Sequence, residues 1–290
     1  MTTTDPRWTD ANGREIDEED RGLVYDVQTL VDRRRLLGLF GGVSAAALLA
    51  ACGSASSGST GGVSSSAATS SASSSSSSSS SGDLTEVPDE TAGPYPGDGS
   101  NGVNVLDDSG IVRKDITSSF GSSTTKAEGV PLTVRLTVRD TATGDALTGA
   151  AVYVWHCTAD GNYSLYSQGF ENENFLRGVQ EVDASGTATF TTVFPGCYSG
   201  RWPHIHFEVY GSADDATTSG PIVKTSQIAL PAEACSAAYA TAGYEASVAN
   251  LAGTSLAADN VFGEDGGIHQ IASMAGDAAS GFTASLTIGV

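Results

Sequence analysis

Positive charge is scarce in this chain: 14 lysines and arginines stand against 34 acidic residues, a net charge of −20 over 290 residues. A protein that grips phosphate backbones presents a basic patch, so the balance argues against nucleic acid as a partner. The acidity is read as serving solubility. Histidine is rare, with four residues in all, and so is cysteine, also with four. No cysteine pair shows the C-x-x-C spacing of a zinc or redox site. Long apolar runs are missing as well. The run that stands out, "LLGLFGGVSAAALLA" at 36–50, is shorter than the about 20 predominantly apolar residues of a spanning helix and rich in Gly and Ala.

That run reads as part of an address. Arg33, Arg34 and Arg35 precede it and Ala51 and Cys52 follow it, in the order charged region, apolar region, small-residue cleavage site. "DRRRLL" resembles a twin-arginine export signal, and "LAAC" at 49–52 resembles a bacterial lipobox. Residues 1–52 are therefore expected to be a signal region, with Cys52 a lipid anchor to the membrane. Simple cleavage and secretion is the alternative. Residues 53–82 are almost wholly Ser, Gly, Ala and Thr, too polar to offset their ordering entropy, and read as a flexible linker. A folded domain is expected at 83–290, outside the cytoplasm, on the cell surface or secreted. Its Cys157, Cys197 and Cys235 are an odd number in a compartment that permits disulfides, so one bridge and one free thiol are expected.

From Pro131 the chain reads "PLTVRLTVRD": Leu132, Val134, Leu136 and Val138 alternate with polar residues, the period of a half-buried strand. "AAVYVWHC", "TATFTTVF", "HIHFEVYG", "IVKTSQIAL" and "FTASLTIGV" read as further strands between Gly-, Asp- and Asn-containing turns. Short strands at such spacing predict an all-β fold, a β-sandwich with short helices and long loops. One helix is expected, in the Ala-rich "PAEACSAAYATAG".

Side chains alternate across a strand, so His204 and His206 share a face while Ile205 points into the core. Two adjacent imidazoles can chelate a metal. Tyr198 stands six positions before His204, and Arg201 three before it. Glu208 shares their face and is expected to be solvent-facing. Tyr163 falls in the loop after a strand, where a side chain can reach across, and His156, beside Trp155, is read as structural.

The segments "ETAGPYP" (90–96), "GIVRKDI" (110–116), "VWHCTADGNYSLY" (154–166), "FLRGVQEVDASGTATFTTVFPGCYSGRWPHIHFEV" (175–209) and "TSQIALP" (225–231) together resemble the intradiol ring-cleavage dioxygenases. That is the family of protocatechuate 3,4-dioxygenase and catechol 1,2-dioxygenase, and the likeness is to an exported, actinobacterial-type member. The resemblance covers nearly all of 83–290 and implies a β-sandwich holding one non-haem Fe(III). Its implied ligands are Tyr163, Tyr198, His204 and His206. Arg201 falls on the family's motif arginine and Gln227 on its substrate-side glutamine, while Tyr198 is the tyrosinate implied to take up a substrate proton. The implied partners are a catechol-type aromatic and O2, and the implied product is a cis,cis-muconate-type diacid. The family's helical dimerisation domain has no counterpart in the serine-rich region, so its dimer is not carried over. Cys197 is read as a disulfide half, with Cys235 as a candidate mate.

Phenolates are hard anionic donors that favour Fe(III) over Fe(II), and phenol ionises near pH 10 unless a highly charged metal lowers that value. Two other readings compete. "LTVRDTATGDALTGAAVYVW" also resembles a transthyretin-like module, which would make the domain a non-catalytic cell-surface binder. A zinc or cupin-type H-x-H site would need a third histidine or a glutamate, with His269 the remaining candidate.

Overall fold

The computed structural model describes residues 84–290; the signal, Cys52 and linker readings lie outside the described residues. Eight strands form two four-stranded sheets. They are β1 (Pro131–Arg139), β2 (Ala151–Trp155), β3 (Arg177–Glu181), β4 (Thr187–Val193), β5 (His204–Tyr210), β6 (Ile222–Ala229), β7 (Ser273–Asp277) and β8 (Gly281–Gly289). One sheet has the order β4-β1-β8-β7 and the other β3-β2-β5-β6. Three short helices follow the second sheet's strands: α1 (Ala213–Thr217), α2 (Ala232–Tyr239) and α3 (Glu245–Ala252).

The core between the sheets is the one the alternation predicted. Leu132, Val134, Leu136 and Val138 of β1 enter it with Phe190 of β4 and Ile288 of β8. Val152 and Val154 of β2 and Ile205, Phe207 and Val209 of β5 meet them from the other sheet. The fold is an all-β sandwich.

The second sheet is buried on both faces, which is what makes a site possible on it. Its outer face is packed by Val105, Leu106 and Ile111 from the segment before β1, and by Tyr163 from the β2–β3 loop. Every residue of β5 is buried, His204, His206 and Glu208 included. The expectation that Glu208 faces solvent is thus wrong: it is 0% exposed. An outward position on a strand means solvent only when nothing covers that face.

Arg177 pins the covering layers to the sheet. It is 1% exposed on β3, and its guanidinium donates to the Pro96 carbonyl (2.8 Å), the Ser164 carbonyl (3.0 Å) and Ser164 Oγ (3.0 Å). A planar fork with five donors can join three strands of backbone in this way.

The sequence reading placed six of the eight strands and α2. It passed over β3, whose "RGVQE" shows little alternation, and β7, "SMAGD", an edge strand largely exposed. It also passed over α1 and α3. The expected disulfide is corrected too: Cys157, Cys197 and Cys235 are all free and buried. Each thiol is directed at a different carbonyl, of Gly196, Arg201 and Leu230 respectively, so none is presented to another. Burial pushes the Cys157 thiol up to about 12 and Cys197 to about 11, leaving both protonated and inert.

His156 is structural, as expected. It links the sheets: Nε2 lies 2.7 Å from Thr192 Oγ1 on β4, and Nδ1 lies 2.8 Å from the Cys157 carbonyl. The carbonyl can only accept, so Nδ1 carries the proton and Nε2 accepts from the threonine. Burial holds the imidazole pKa down from 6.5 to about 4. The folded state therefore resists protonation, and the His156 contribution to stability is complete above about pH 6.5 and lost as the pH falls toward 4. In urea unfolding Thr192→Val should cost about 1–3 kcal/mol by stranding Nε2, and His156→Gln should flatten the stability loss between pH 6.5 and 4. An unchanged slope would show that His156 does not carry it.

Candidate active site

The register of the second sheet builds the site from a row of side chains. His206 pairs with Trp155 on β2 and with Gln227 on β6, so all three stand abreast on the outer face. The His206 ring lies on the Trp155 indole with centroids 4.9 Å apart and planes 6° from parallel. Trp155 is in turn stacked on Tyr153 at 4.9 Å. An imidazole held flat against an indole cannot turn.

His204 is fixed differently. Its Nδ1 donates to the Trp202 carbonyl at 2.6 Å, which leaves the Nε2 lone pair free. That lone pair lies 3.1 Å from His206 Nε2 and 3.2 Å from the Tyr198 hydroxyl. Burial, with the Arg201 charge second, drives the His204 pKa down to about 3. Burial and then His204 hold His206 well below its ordinary value. Both rings are therefore neutral, the form in which an imidazole can bind a metal.

Two phenols complete the cluster. Tyr163, 1% exposed, meets Tyr198 edge to face at 5.9 Å and His206 at 6.5 Å. Its hydroxyl is buried and makes no hydrogen bond of good geometry, an omission that costs about 1–3 kcal/mol. Tyr198 is half-buried. Burial raises both phenol pKa values, so in the protein alone both stay protonated.

Tyr198 owes its place to α3. Ser247 accepts from the Cys197 N–H at 2.9 Å and Asn250 donates to the Cys197 carbonyl at 2.8 Å. Gly196 lets the chain pass: a Cβ there would sit 2.4 Å from the Ala159 carbonyl oxygen. On the far side, Gly93 brings the segment before β1 against His206, where a Cβ would stand 3.1 Å from the ring. Tyr95 of the same segment packs on Tyr163 with centroids 4.6 Å apart.

Arg201 faces the cluster, with Nη1 3.4 Å from His204 Nε2. Two acceptors aim it. Asp259 takes Nε at 3.0 Å, and Gln227 Oε1 takes Nη2 at 2.7 Å. Gln227 is itself held by its donation to the Thr91 carbonyl at 2.9 Å. The Asp259 carboxylate has no side-chain exposure. It also accepts from the Trp202, Val261 and Phe262 N–H groups at 2.6, 2.9 and 3.1 Å. Burial pushes its pKa upward, but Arg201 and these N–H groups outweigh that and hold it below the usual carboxylate range.

The structure thus brings Tyr163, Tyr198, Arg201, His204, His206 and Gln227 into one cluster, although they come from three separate stretches of chain. Asp259, Trp155 and α3 were missed. Asp259 sits in "LAADNVFGEDGG", and nothing in that composition marks one acidic residue among several. Among the described residues no three of His, Cys, Asp and Glu come together to hold a metal, so the zinc-type reading with His269 is not upheld.

The donor set fits a hard, highly charged cation. Two neutral imidazole nitrogens face one another, and the buried Tyr163 hydroxyl makes no hydrogen bond of good geometry. Such an arrangement is satisfied by a metal that also lowers the phenol pKa values.

Residues 112–220 match the family model described as "Dioxygenase". Over 61 residues the chain is 41% identical to a chlorocatechol 1,2-dioxygenase of Rhodococcus opacus, covering 21% of this chain. The match takes in 23% of that relative, so the chain spans about a quarter of its length. In fold it is similar to an intradiol ring-cleavage dioxygenase from Tetranychus urticae. That comparison has a TM-score of 0.55 and 24% identity, over 71% of this chain and 94% of the other. The chain has the fold of an intradiol ring-cleavage dioxygenase, and its central part, residues 112–220, is similar to the dioxygenase family model. The family match includes Tyr163, Tyr198, Arg201, His204 and His206 and stops short of Gln227 and Asp259.

Removing the Asp259 charge leaves Arg201 without its buried counter-ion. Asp259→Asn should lower stability by on the order of 3 kcal/mol in denaturant unfolding. A loss below about 0.5 kcal/mol would show the pair to be energetically idle.

Proposed function

We propose that the chain opens the ring of a catechol-type aromatic with O2, between the two oxygen-bearing carbons, using Fe(III) held by Tyr163, Tyr198, His204 and His206. The observation that carries this reading is the approach of His206 Nε2 and Tyr198 Oη to His204 Nε2, at 3.1 and 3.2 Å, beside the buried Tyr163 hydroxyl, which makes no hydrogen bond of good geometry. Ferric iron, when bound, supplies the Lewis acidity that keeps phenol and catechol oxygens anionic at neutral pH.

The residues divide the remaining work by how they are held. Tyr163 is packed against Tyr95 and 1% exposed, so it is the more tightly held of the two phenols. Tyr198 is half exposed and ends in an ordinary loop, so it is the phenol that can swing aside and take up a catechol proton on Oη. Arg201 lies beside the same point with its fork braced by Asp259 and Gln227. A cation fixed in advance in a shielded site stabilises the negative charge that develops on the ring as it attacks O2. The bond between the two oxygenated carbons breaks and both atoms of O2 enter the product. The result is a cis,cis-muconate-type diacid, with no outside reductant consumed.

A transthyretin-like binding module shares the sandwich, and fold alone does not separate the two. A binder has no use for two phenols and two imidazoles gathered under a braced arginine. The purified protein should show a broad visible tyrosinate-to-Fe(III) band that shifts when catechol is added without air and decays when air is admitted. Tyr163→Phe and His204→Ala should each cut bound iron at least 10-fold, and Asp259→Asn should lower kcat/KM about 10–100-fold. A colourless protein that stays colourless after iron loading, and leaves catechol untouched, would make the binding module the correct reading.

The location proposed is extracytoplasmic, by the twin-arginine route with a lipid on Cys52, on the strength of "DRRRLL" and "LAAC". Cys52→Ser should release the protein from the membrane fraction of cells that express the full chain. Continued membrane retention would refute the anchor.

A further inference from the structure

β6 is an edge strand of the second sheet, and two segments remote in sequence close its open side. An edge strand otherwise presents a row of unpaired N–H and C=O groups. The Glu90 N–H donates to the Thr225 carbonyl at 2.8 Å. Two residues further along β6, Gln270 takes over and pairs as a neighbouring strand would. Its carbonyl accepts from the Ala229 N–H at 2.9 Å, and its side-chain Nε2 donates to the Gln227 carbonyl at 3.2 Å. The Ala272 N–H then donates to the Ala229 carbonyl at 3.0 Å.

The Gln270 amide lies in one orientation. A backbone carbonyl can only accept, so Nε2 faces Gln227. Nε2 also lies 3.3 Å from Ser226 Oγ and 3.5 Å from Glu90 Oε1. Oε1 is turned away, buried and without a hydrogen bond of good geometry, on a side chain that is 0% exposed. That oxygen costs about 1–3 kcal/mol, which offsets what the amide gains at the Gln227 carbonyl. Stability therefore gives little reason for a glutamine here, and position gives one. Gln227 is the residue whose Oε1 takes Arg201 Nη2 at 2.7 Å, while its own amide donates to the Thr91 carbonyl. It is held at the backbone by Gln270 and at the side chain by Thr91, the neighbour of Glu90.

We infer that Gln270 is a positioning residue for ring opening: by fixing the β6 backbone at Gln227 it fixes Gln227 Oε1, and through it the Arg201 guanidinium. The inference rests on the ring-cleavage reading. Arg201 acts on charge that develops only as the ring reacts, so a loosened guanidinium lowers kcat and leaves KM in place. A support displaced far from the chemistry can cost about 100-fold. The loss expected here is nearer 10-fold, because Asp259 still holds Arg201 Nε.

The test compares the full chain with Gln270→Met, which keeps an unbranched side chain and the main-chain bonds and removes the amide. Catechol turnover should show kcat lowered about 10-fold and KM within about 2-fold. Bound iron, and the shift of the visible band when catechol is added without air, should stay as they are. In a Gln227→Met background the same change should cost less than about 2-fold, since the route to Arg201 is already cut. If Gln270→Met does not fold, Gln270→Asn keeps an amide but draws it back from the Gln227 carbonyl, and should show the same loss of kcat. Unchanged kcat in the folded variant, or equal losses with and without Gln227, would overturn the positioning role alone. Iron lost in step with kcat would overturn it too, and make Gln270 a support of the metal site. An unaltered protein that stays colourless after iron loading and leaves catechol intact would overturn the ring-cleavage reading and this role with it.

Discussion

His204 and His206 hold their Nε2 atoms 3.1 Å apart on a sheet face closed to water, and the surroundings are built to enforce that approach. Left alone, the two rings would separate or one would rotate. The Trp202 carbonyl stops His204 by holding Nδ1, and the Trp155 indole stops His206 by stacking. The two restraints differ in kind, a hydrogen bond and a flat contact, and together they fix both rings without using either Nε2.

The same burial that keeps the imidazoles neutral also keeps the phenols protonated, so the unliganded cluster carries no anion of its own. Its one permanent charge is Arg201, which would be costly there unpaired. Asp259 resolves this by sitting behind the guanidinium, and three N–H groups hold the carboxylate in turn. The arginine's charge is balanced on the side away from the cluster, and its remaining edge faces inward. An arginine balanced from the front would have no field left to offer a substrate anion.

How much of this could be read from the sequence follows from which interactions leave a local trace. The β1 alternation was legible because one face of that strand is wet. The tyrosines, histidines and Arg201 were legible because "YSGRWPHIH" places four of them within nine residues. Gln227 was legible only through resemblance, and its role was not: it braces Arg201 from the neighbouring strand. Asp259 left no trace because its partner lies 58 residues away along the chain. The expected disulfide failed for a related reason, since counting thiols says nothing of where each one points.

Glu208 shows the same limit most plainly. In sequence it is one more polar residue at an alternating position, and on β1 such residues are indeed wholly or partly exposed. β5 has the same alternation and lies inside, because the segment before β1 and the β2–β3 loop cover its outer face. Polar residues on a doubly covered strand must each find a partner. His204 and His206 find one another and the two tyrosines, and Glu208 finds the Tyr210 hydroxyl. A polar residue on such a strand is tolerated only where the covering layer answers it, so each one marks a place where sheet and cover were fitted together. In this sheet those places are the candidate active site and the Glu208–Tyr210 pair beside it.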